Sequence, residues 1–245
     1  MKATLIQTDI QWADAIANRT AMESALLRAE QSDIYILPEM WSTGFVTSPT
    51  EGDDGAEQWM QQMSQRLDAA VVGSVVIMDG GRYYNRMLFV TPDGTLAHYD
   101  KRHLFSYGGE NEHYTAGTER VVVMWRGVRF LLQICYDLRF PVFSRNHRDY
   151  DAIIYVASWP VNRIQVWHTL LQARALENQC FVLAVNRIGN DPVCQYNGGT
   201  QALDAYGRII GSCADNEADA LTVTLDMERL AAFRKKFPVL YDADV

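Results

Sequence analysis

The stretch that decides the fold reads Val128-Arg129-Phe130-Leu131-Leu132-Gln133-Ile134-Cys135-Tyr136-Asp137-Leu138-Arg139-Phe140-Pro141. Its mostly apolar first half, Val128–Ile134, is typical of a buried strand. A thiol and a carboxylate, Cys135 and Asp137, follow where the apolar run ends. In α/β sheets, functional groups gather just past the carboxyl ends of strands. We therefore predict a functional site at the end of this strand.

Two other predicted strands end in the same way. The buried strand Ile34–Leu37 is followed closely by Glu39, and the strand Leu96–Tyr99 is followed closely by Lys101. Strand ends would thus present a carboxylate, an ammonium group and the thiol of Cys135. Each has a structural alternative when taken singly: Glu39 as a cap or local ion pair, Lys101 as a solvated surface charge and Cys135 as an inert buried thiol.

Taken together, the three side chains make a chemical set. A thiolate is a strong nucleophile, and a nearby cation lowers the pKa of a thiol. A carboxylate beside the thiol can accept its proton and return it to a leaving amine. A lysine can stabilise the oxyanion of a tetrahedral intermediate. The set of Cys135, Glu39 and Lys101 therefore predicts hydrolysis of an amide or a related carbon–nitrogen bond.

Other partners for the thiol stay open at this point. The chain has five histidines, and a cysteine–histidine dyad is a common alternative. His103 and His113 flank the Lys101 loop and could line the pocket. The run 110–113, Glu-Asn-Glu-His, is the local candidate for metal ligands, but it is weak as a metal motif. We expect no metal and no cofactor, since no phosphate-binding glycine motif is present either.

Composition limits the classes of protein. The 245 residues are 48% hydrophobic and carry 22 Lys and Arg against 30 Asp and Glu, a net charge of -8. That balance argues against nucleic acid and anionic membranes as partners, and no apolar run approaches the roughly 20 residues of a membrane span. The amino terminus is too short and polar for a signal peptide, and the four cysteines show no paired spacing. We expect a cytoplasmic protein with a single domain over residues 1–245.

Strands and helices alternate along the chain, which predicts an α/β or α+β layered domain. Hairpin turns are indicated at Pro92-Asp93-Gly94 and Arg126-Gly127. Ile16 and Leu176 are expected to face the core. The predicted helices cover about residues 14–30, a segment after the polar loop at 51–55, residues 164–179 and a last segment that Asp226 opens.

Three blocks of the sequence resemble the nitrilase superfamily of carbon–nitrogen hydrolases. They are Leu37–Met40, Tyr99–Leu104 and Cys135–Pro141, in the family's order and spacing, and the resemblance covers nearly the whole chain. It implies a four-layer α-β-β-α sandwich that needs no cofactor and acts on a small-molecule amide. It also implies a homodimer, in which the tail from Phe237 to Val245 is a candidate for crossing to a partner subunit.

The resemblance also implies a role for each member of the chemical set. Cys135 would be the nucleophile, Glu39 the general base and Lys101 the oxyanion stabiliser. The backbone N–H of Tyr136 would be the second oxyanion donor. For the first three residues, these roles agree with those expected from the chemistry of the side chains alone.

A second pocket glutamate is implied in the loop after the lysine. Two residues compete for this position, Glu110 and Glu112. Counting back from Ala116-Gly117, which resembles the end of the family's loop, favours Glu110. We therefore predict Glu110 as the fourth member of the catalytic set.

Within the superfamily, residues 39–45 and 101–117 look like the bacterial omega-amidases. Those enzymes hydrolyse the terminal amide of 2-oxoglutaramate or 2-oxosuccinamate. A substrate with a distal carboxylate needs a cation, which an acidic protein must place locally. Arg139 is the predicted clamp, with a structural ion pair under the nucleophile turn as its alternative. Trp159 and Phe45 are expected to wall the pocket.

One departure from the family pattern keeps other functions open. Ser158-Trp159-Pro160 replaces the commoner versions that contain asparagine. The alternatives are another amidase of the superfamily, acting on deaminated glutathione or an aliphatic amide, and a catalytically silent binding protein. The complete set of nucleophile, base and oxyanion stabiliser argues against the silent protein.

Overall fold

Two six-stranded sheets form the centre of the structure, a computed structural model that describes residues 1–49 and 55–243. The strands are β1 (Lys2–Gln7), β2 (Ile34–Ile36), β3 (Ala70–Asp79), β4 (Arg82–Val90), β5 (Leu96–Asp100), β6 (Val122–Trp125), β7 (Val128–Ile134), β8 (Ala152–Ala157), β9 (Phe181–Asn186), β10 (Ile188–Asn190), β11 (Gln195–Asn197), β12 (Gln201–Leu203), β13 (Ile209–Ser212) and β14 (Asp219–Thr224). The first sheet has the order β14-β1-β2-β3-β4-β5 and the second β13-β12-β9-β8-β7-β6, while β10 and β11 pair separately.

The described residues also form α-helices, three of which cover the outer faces of the two sheets. They are α1 (Ala15–Arg28), α2 (Ala56–Leu67), α3 (Glu110–His113), α4 (Ile164–Asn178) and α5 (Met227–Lys236). Helices α1 and α2 pack against the first sheet, and α4 packs against the second. The resulting order of helix, sheet, sheet and helix is the predicted four-layer sandwich.

Alternation along the buried strands explains why both sheet faces are covered. In β2, Ile34 and Ile36 belong to the core between the two sheets, whereas Tyr35 belongs to the core beneath α1 and α2. Successive side chains of a strand point to opposite faces, so an unbroken apolar run serves two cores at once. The sheets meet through contacts such as Phe89 on Phe130, whose ring centroids are 6.0 Å apart.

The predicted orientation of two side chains is wrong. Ile16 is 72% exposed and Leu176 is 49% exposed. In α1 the buried face includes Asn18, whose amide donates to the carbonyl groups of Gln11 and Ser42. In α4 it includes Arg174, whose guanidinium donates to a buried carbonyl. Buried polar residues with backbone partners therefore set which face of these helices turns inward.

The carboxyl-terminal segment packs on its own chain as far as the structure describes it. Residues Val239–Tyr241 form a 3₁₀ helix, in which Leu240 is buried and Tyr241 lies under the guanidinium of Arg148. The contact of this tail with a partner subunit and the homodimer stay predictions. The predicted polar loop at 51–54 and the last two residues of the predicted tail lie outside the described residues.

None of the helices in the described part of the chain is long and apolar enough to cross a membrane.

Candidate active site

Cys135 lies at the sharp junction between β7 and a 3₁₀ helix, Cys135–Arg139. Its φ of 45° places it in the left-handed region, which residues other than glycine rarely adopt. The carboxylate of Asp137 holds this turn, because it accepts the Ile134 N–H at 3.0 Å and the Tyr99 hydroxyl at 2.7 Å. The thiol is thus presented from a turn that a buried carboxylate fixes.

His103 belongs to the support of this turn. Its backbone N–H donates to Asp137 at 2.9 Å, and its Nδ1 lies 2.8 Å from the same carboxylate oxygen. Its ring stacks on Phe140, with 4.0 Å between centroids. The second histidine considered for the pocket, His113, is exposed at the end of α3. The geometry therefore supports the glutamate–lysine set over a cysteine–histidine dyad.

Glu39 is completely buried where the two sheets meet. Its Oε2 accepts the Ser158 backbone N–H at 2.9 Å, and its Oε1 accepts Lys101 Nζ at 2.8 Å. Ser158 directly follows β8, which pairs in parallel with β7, so it lies at the same sheet edge as Cys135. Three strand ends from two sheets thus converge on one carboxylate.

Lys101 is also completely buried, and it is shared by two carboxylates. Its Nζ lies 2.8 Å from Glu39 Oε1 and 2.9 Å from Glu110 Oε2. Glu110 opens α3 and is buried, whereas Glu112 in the same helix is exposed. The structure therefore brings Glu110 to the lysine and leaves Glu112 in solvent.

The position of Lys101 depends on a close approach at Gly117. The Gly117 N–H donates to the Lys101 carbonyl at 3.0 Å. A Cβ atom at this glycine would lie 2.2 Å from the carbonyl oxygen of Asp100. A side chain at this position would push the loop away from the lysine. This close approach explains why the loop between Lys101 and Gly117 ends in glycine.

Burial, more than the surrounding charges, raises the pKa of the Cys135 thiol and favours its protonated form. Burial raises the pKa of Cys135 well above its ordinary value, and the Glu39 carboxylate raises it further, while Lys101 opposes them. Burial alone would lower the pKa of Lys101, but Glu110 and Glu39 reverse this and raise it, so the ammonium form persists. A neutral thiol beside a carboxylate needs that carboxylate as its base.

A cavity of about 260 Å³ opens onto the thiol. Its wall includes all three residues predicted to bind substrate, and Glu39 and Glu110 lie behind it as the partners of Lys101. The predicted residues that line the cavity are Phe45, Lys101, Cys135, Tyr136, Arg139 and Trp159.

Arg139 extends along this wall. Its Cζ lies 5.1 Å from the Trp159 ring centroid and 5.9 Å from that of Tyr136. Within residues 1–49 and 55–243 its guanidinium has no carboxylate within 4.0 Å. The structural ion pair considered as the alternative is therefore absent from this part of the chain, and the cation is available to a ligand.

Sequence reasoning gave no role to two polar residues of this site. The Asn85 amide donates to Glu39 at 2.8 Å and to Glu110 at 3.0 Å. A single polar residue at a buried position of β4 is the signal that could have found it. Arg163, which also lines the cavity, precedes α4. No sequence signal separates it from an ordinary surface arginine.

The described residues hold no group of three or more His, Cys, Asp and Glu side chains that could bind a metal ion. The weak candidate at 110–113 is divided by the fold, with Glu110 turned inward and His113 exposed.

Removing the Asn85 amide should destabilise the fold. We expect Asn85→Ala to lower the free energy of unfolding by about 1.5–3 kcal/mol, because two buried carboxylates each lose a donor. Urea denaturation measures this change. The control is Asn197→Ala, whose amide bonds the exposed Asp215 at 3.1 Å, and which should cost no more than about 0.5 kcal/mol. Equal losses would contradict a special role of Asn85.

A thiol, a carboxylate and a lysine at the ends of strands in a two-sheet sandwich define a class of cysteine hydrolases that cleave carbon–nitrogen bonds. The chain matches the carbon-nitrogen hydrolase family over residues 2–235, and it belongs to that family. The predicted membership is thereby confirmed.

The chain is also similar to individual proteins of this family. The chain is 45% identical over 248 residues to the omega-amidase YafV of Yersinia enterocolitica, covering 100% of this chain and 97% of the relative. It is 31% identical over 254 residues to the 2-oxoglutaramate amidase of Bacillus subtilis strain 168, covering 99% and 98%. Among solved structures, XC1258 from Xanthomonas campestris, a CN-hydrolase superfamily protein with an arsenic adduct in the active site, is 40% identical with a TM-score of 0.94 and coverage of 100% and 97%.

Proposed function

We propose that this chain is an omega-amidase that hydrolyses the terminal amide of 2-oxoglutaramate or 2-oxosuccinamate to ammonia and a 2-oxo acid. The observation that carries the proposal is one cavity lined by Cys135 and Lys101, with Glu39 behind the lysine, and by the Arg139 guanidinium, which has no carboxylate partner among the described residues. The names of the relatives at 45% and 31% identity support the same reaction.

In the first step, the sulfur of Cys135 attacks the amide carbon while Glu39 accepts the thiol proton. The carbonyl oxygen becomes an oxyanion that receives hydrogen bonds from Lys101 Nζ and the Tyr136 backbone N–H. The Tyr136 N–H is suited to this role, since the first N–H groups of a helix have no acceptor inside it and the described residues offer this one no other acceptor. Donors fixed before the reaction need no reorganisation as the charge develops.

The intermediate then collapses to a thioester. Protonated Glu39 gives its proton to the leaving nitrogen, the carbon–nitrogen bond breaks and ammonia departs. A water molecule takes the vacated position and attacks the thioester carbon, while Glu39 accepts one of its protons. The second tetrahedral intermediate expels the sulfur, which recovers a proton from Glu39, and the 2-oxo acid leaves.

Glu110 acts through Lys101 in this scheme. Its carboxylate pairs with the Lys101 ammonium and accepts hydrogen bonds from the Asn85 amide and, at 2.6 Å, from the Phe105 N–H. This carboxylate keeps the ammonium charged and aimed while Glu39 changes its protonation state. Glu110 is therefore a positioning residue, and Glu39 is the residue that exchanges protons.

The carboxylate end of the proposed substrate explains why the enzyme should prefer an amide that carries an acid group. A half-buried guanidinium without a carboxylate partner is costly, and a substrate carboxylate can supply the missing anion. A neutral aliphatic amide would leave Arg139 unpaired. This difference favours the omega-amidase over the aliphatic amidase among the functions that the sequence left open.

Ammonia release from a panel of amides tests the proposal. We expect kcat/KM for 2-oxoglutaramate and 2-oxosuccinamate to exceed that for pentanamide, a neutral amide of similar length, by about 10- to 100-fold, as expected for a charge-assisted contact. Glutamine, with an ammonium group in place of the 2-oxo group, should be a poor substrate. Rejection of both 2-oxo acid amides would disprove the omega-amidase activity.

A further inference from the structure

A second arginine lines the cavity beside the predicted clamp. Arg163 is the last residue of the 3₁₀ helix Val161–Arg163, directly before α4. Its carbonyl accepts the Trp159 Nε1–H at 2.9 Å. Because Trp159 also lies 5.1 Å from the Arg139 guanidinium, one indole side chain contacts both arginine residues.

The guanidinium of Arg163 lies over an aromatic ring close to the catalytic residues. Its Cζ lies 5.3 Å from the ring centroid of Phe105. Phe105 also donates its backbone N–H to Glu110, and its ring centroid lies 5.1 Å from that of Tyr136. The guanidinium is therefore placed on a wall that is continuous with the lysine–glutamate pair.

Arg163 has no anion of its own among the described residues. Its guanidinium has no carboxylate within 4.0 Å there, whereas several other arginines of the chain are paired with one. Such pairs are Arg86 with Asp100 at 2.7 Å and Arg129 with Asp151 at 2.8 Å. A partly buried cation that lacks a partner in the fold is suited to an anionic ligand.

The acidic residue of the same cavity does not supply this anion. Asp191 lines the cavity wall. Its Oδ1 accepts the backbone N–H groups of Val193 at 2.7 Å and Cys194 at 2.6 Å, and its Oδ2 accepts the Tyr196 hydroxyl. These bonds hold the loop between β10 and β11, so the charge of Asp191 is already used within the fold.

We propose that Arg163 is a specificity-determining residue that binds the 2-oxo acid end of the substrate together with Arg139, an inference that rests on the proposed function. A 2-oxo acid presents three acceptor oxygens in one small group, two from the carboxylate and one from the adjacent carbonyl. One guanidinium fork satisfies two parallel acceptors. A second fork from Arg163, whose guanidinium lies at Phe105 on the wall of the same cavity, can serve the remaining oxygen and complete the neutralisation of charge.

Binding to a protein that cannot turn over separates recognition from chemistry. In the Cys135→Ala background, calorimetry with 2-oxoglutaramate should show that Arg163→Met raises Kd by about 10- to 100-fold, the loss expected for a charge-assisted hydrogen bond. The Kd for neutral pentanamide should change by less than about 2-fold, since that amide offers no anion to either arginine. Arg163→Lys, which keeps the charge without the fork, should lie between the two.

The matched control is Arg208→Met. Arg208 is exposed and stacks over Tyr206, with 4.8 Å from Cζ to the ring centroid, and does not line this cavity. Its replacement should leave both Kd values unchanged. Equal weakening of the two amides by Arg163→Met would assign the arginine to packing, and unchanged binding of both would show that it makes no contact. Either result overturns the proposal.

A third amide distinguishes failure of this inference from failure of the proposed function. Glutaramate carries the distal carboxylate but has no 2-oxo group. If the wild type rejects 2-oxo acid amides yet binds glutaramate more tightly than pentanamide, and Arg163→Met removes that difference, the proposed function fails while the carboxylate contact of Arg163 stands. If no amide with a carboxylate binds more tightly than pentanamide, both are disproved.

Discussion

Replacement of Cys135 by alanine is expected to lower the kcat for ammonia release from 2-oxoglutaramate by about 10⁴-fold or more. The sulfur makes and breaks the covalent bond to the acyl carbon. Cys194 also lines the cavity, but no hydrogen bond among the described residues joins its thiol to Glu39 or Lys101. Since the side chain is buried and small, we expect the free energy of unfolding to change by no more than about 1 kcal/mol. The variant should therefore fold and bind substrate while remaining inactive.

The control for this experiment is another buried thiol. Cys213 is 7% exposed, and burial raises its pKa to about 12. Cys213→Ala removes a thiol without touching the cavity, and its ammonia release should stay within about 2-fold of the wild type. Mass spectrometry of acid-quenched wild type should find the acyl group on the peptide that contains Cys135. Substantial turnover by Cys135→Ala would exclude the thioester mechanism.

The three central residues could be predicted because each carries a local signal. Cys135 and Glu39 follow buried apolar strands, and Lys101 follows β5, a largely exposed strand in which Tyr99 is buried. A reactive group directly after a buried strand is uncommon unless it serves a site. The stacking of the two sheets then brings the strand ends together, with Lys101 Nζ 2.8 Å from Glu39 Oε1 and the Ser158 N–H, from the strand beside β7, 2.9 Å from Glu39 Oε2. Strand-end positions were sufficient for these residues and the alternation of strands and helices for a layered α/β or α+β domain, while the four-layer order came from the resemblance to the nitrilase superfamily.

The supporting residues could not be predicted, because their roles arise from tertiary contacts. Asn85 is 46 positions from Glu39 in the chain, and only the packing of β4 beside the lysine loop brings its amide to both glutamates. The choice between Glu110 and Glu112 depends on which side of a four-residue helix faces inward. Composition and periodicity do not encode that choice; the spacing of the resembling family loop before Ala116-Gly117 favours Glu110, and in the structure the buried Lys101 ammonium pairs with Glu110.

Arg163 illustrates the same limit for binding residues. Its neighbours in sequence are unremarkable polar and apolar residues, and its significance lies in the ring of Phe105 and the absence of a carboxylate within the described residues. A cation becomes a binding candidate only when the three-dimensional structure shows that the fold leaves it unpaired.

Replacement of Glu39 by glutamine should move catalysis and thiol acidity in opposite directions. We expect kcat/KM for 2-oxoglutaramate to fall by about 10²- to 10⁴-fold, the usual contribution of a general acid–base residue. The single amide oxygen of glutamine can accept either from Ser158 or from Lys101 and Asn85, because these two sets of donors bond opposite oxygens of Glu39. We therefore expect a loss of stability of about 1–3 kcal/mol as well as the loss of proton transfer. The unfolding transition of the variant, followed in urea, measures the loss of stability.

The acidity of the thiol follows from the charges that Cys135 faces. Burial raises its pKa, Glu39 raises it further through its negative charge and a hydrogen bond, and Lys101 lowers it. Glutamine at position 39 removes the negative charge that raises the thiol pKa, and the ammonium of Lys101 that lowers this pKa remains. The pKa of Cys135 should therefore fall, and at any given pH the variant should contain more thiolate than the wild type does.

Alkylation by iodoacetamide across a pH series measures this shift. The pH at which the alkylation rate of Cys135 reaches half of its maximum should be lower in Glu39→Gln than in the wild type, although the variant hydrolyses amides far more slowly. Glu112→Gln removes the same charge from an exposed position of α3, and it should alter neither property. A shift of the alkylation curve to higher pH in Glu39→Gln would show that the carboxylate does not face the thiol, and the assignment of Glu39 as its base would be wrong.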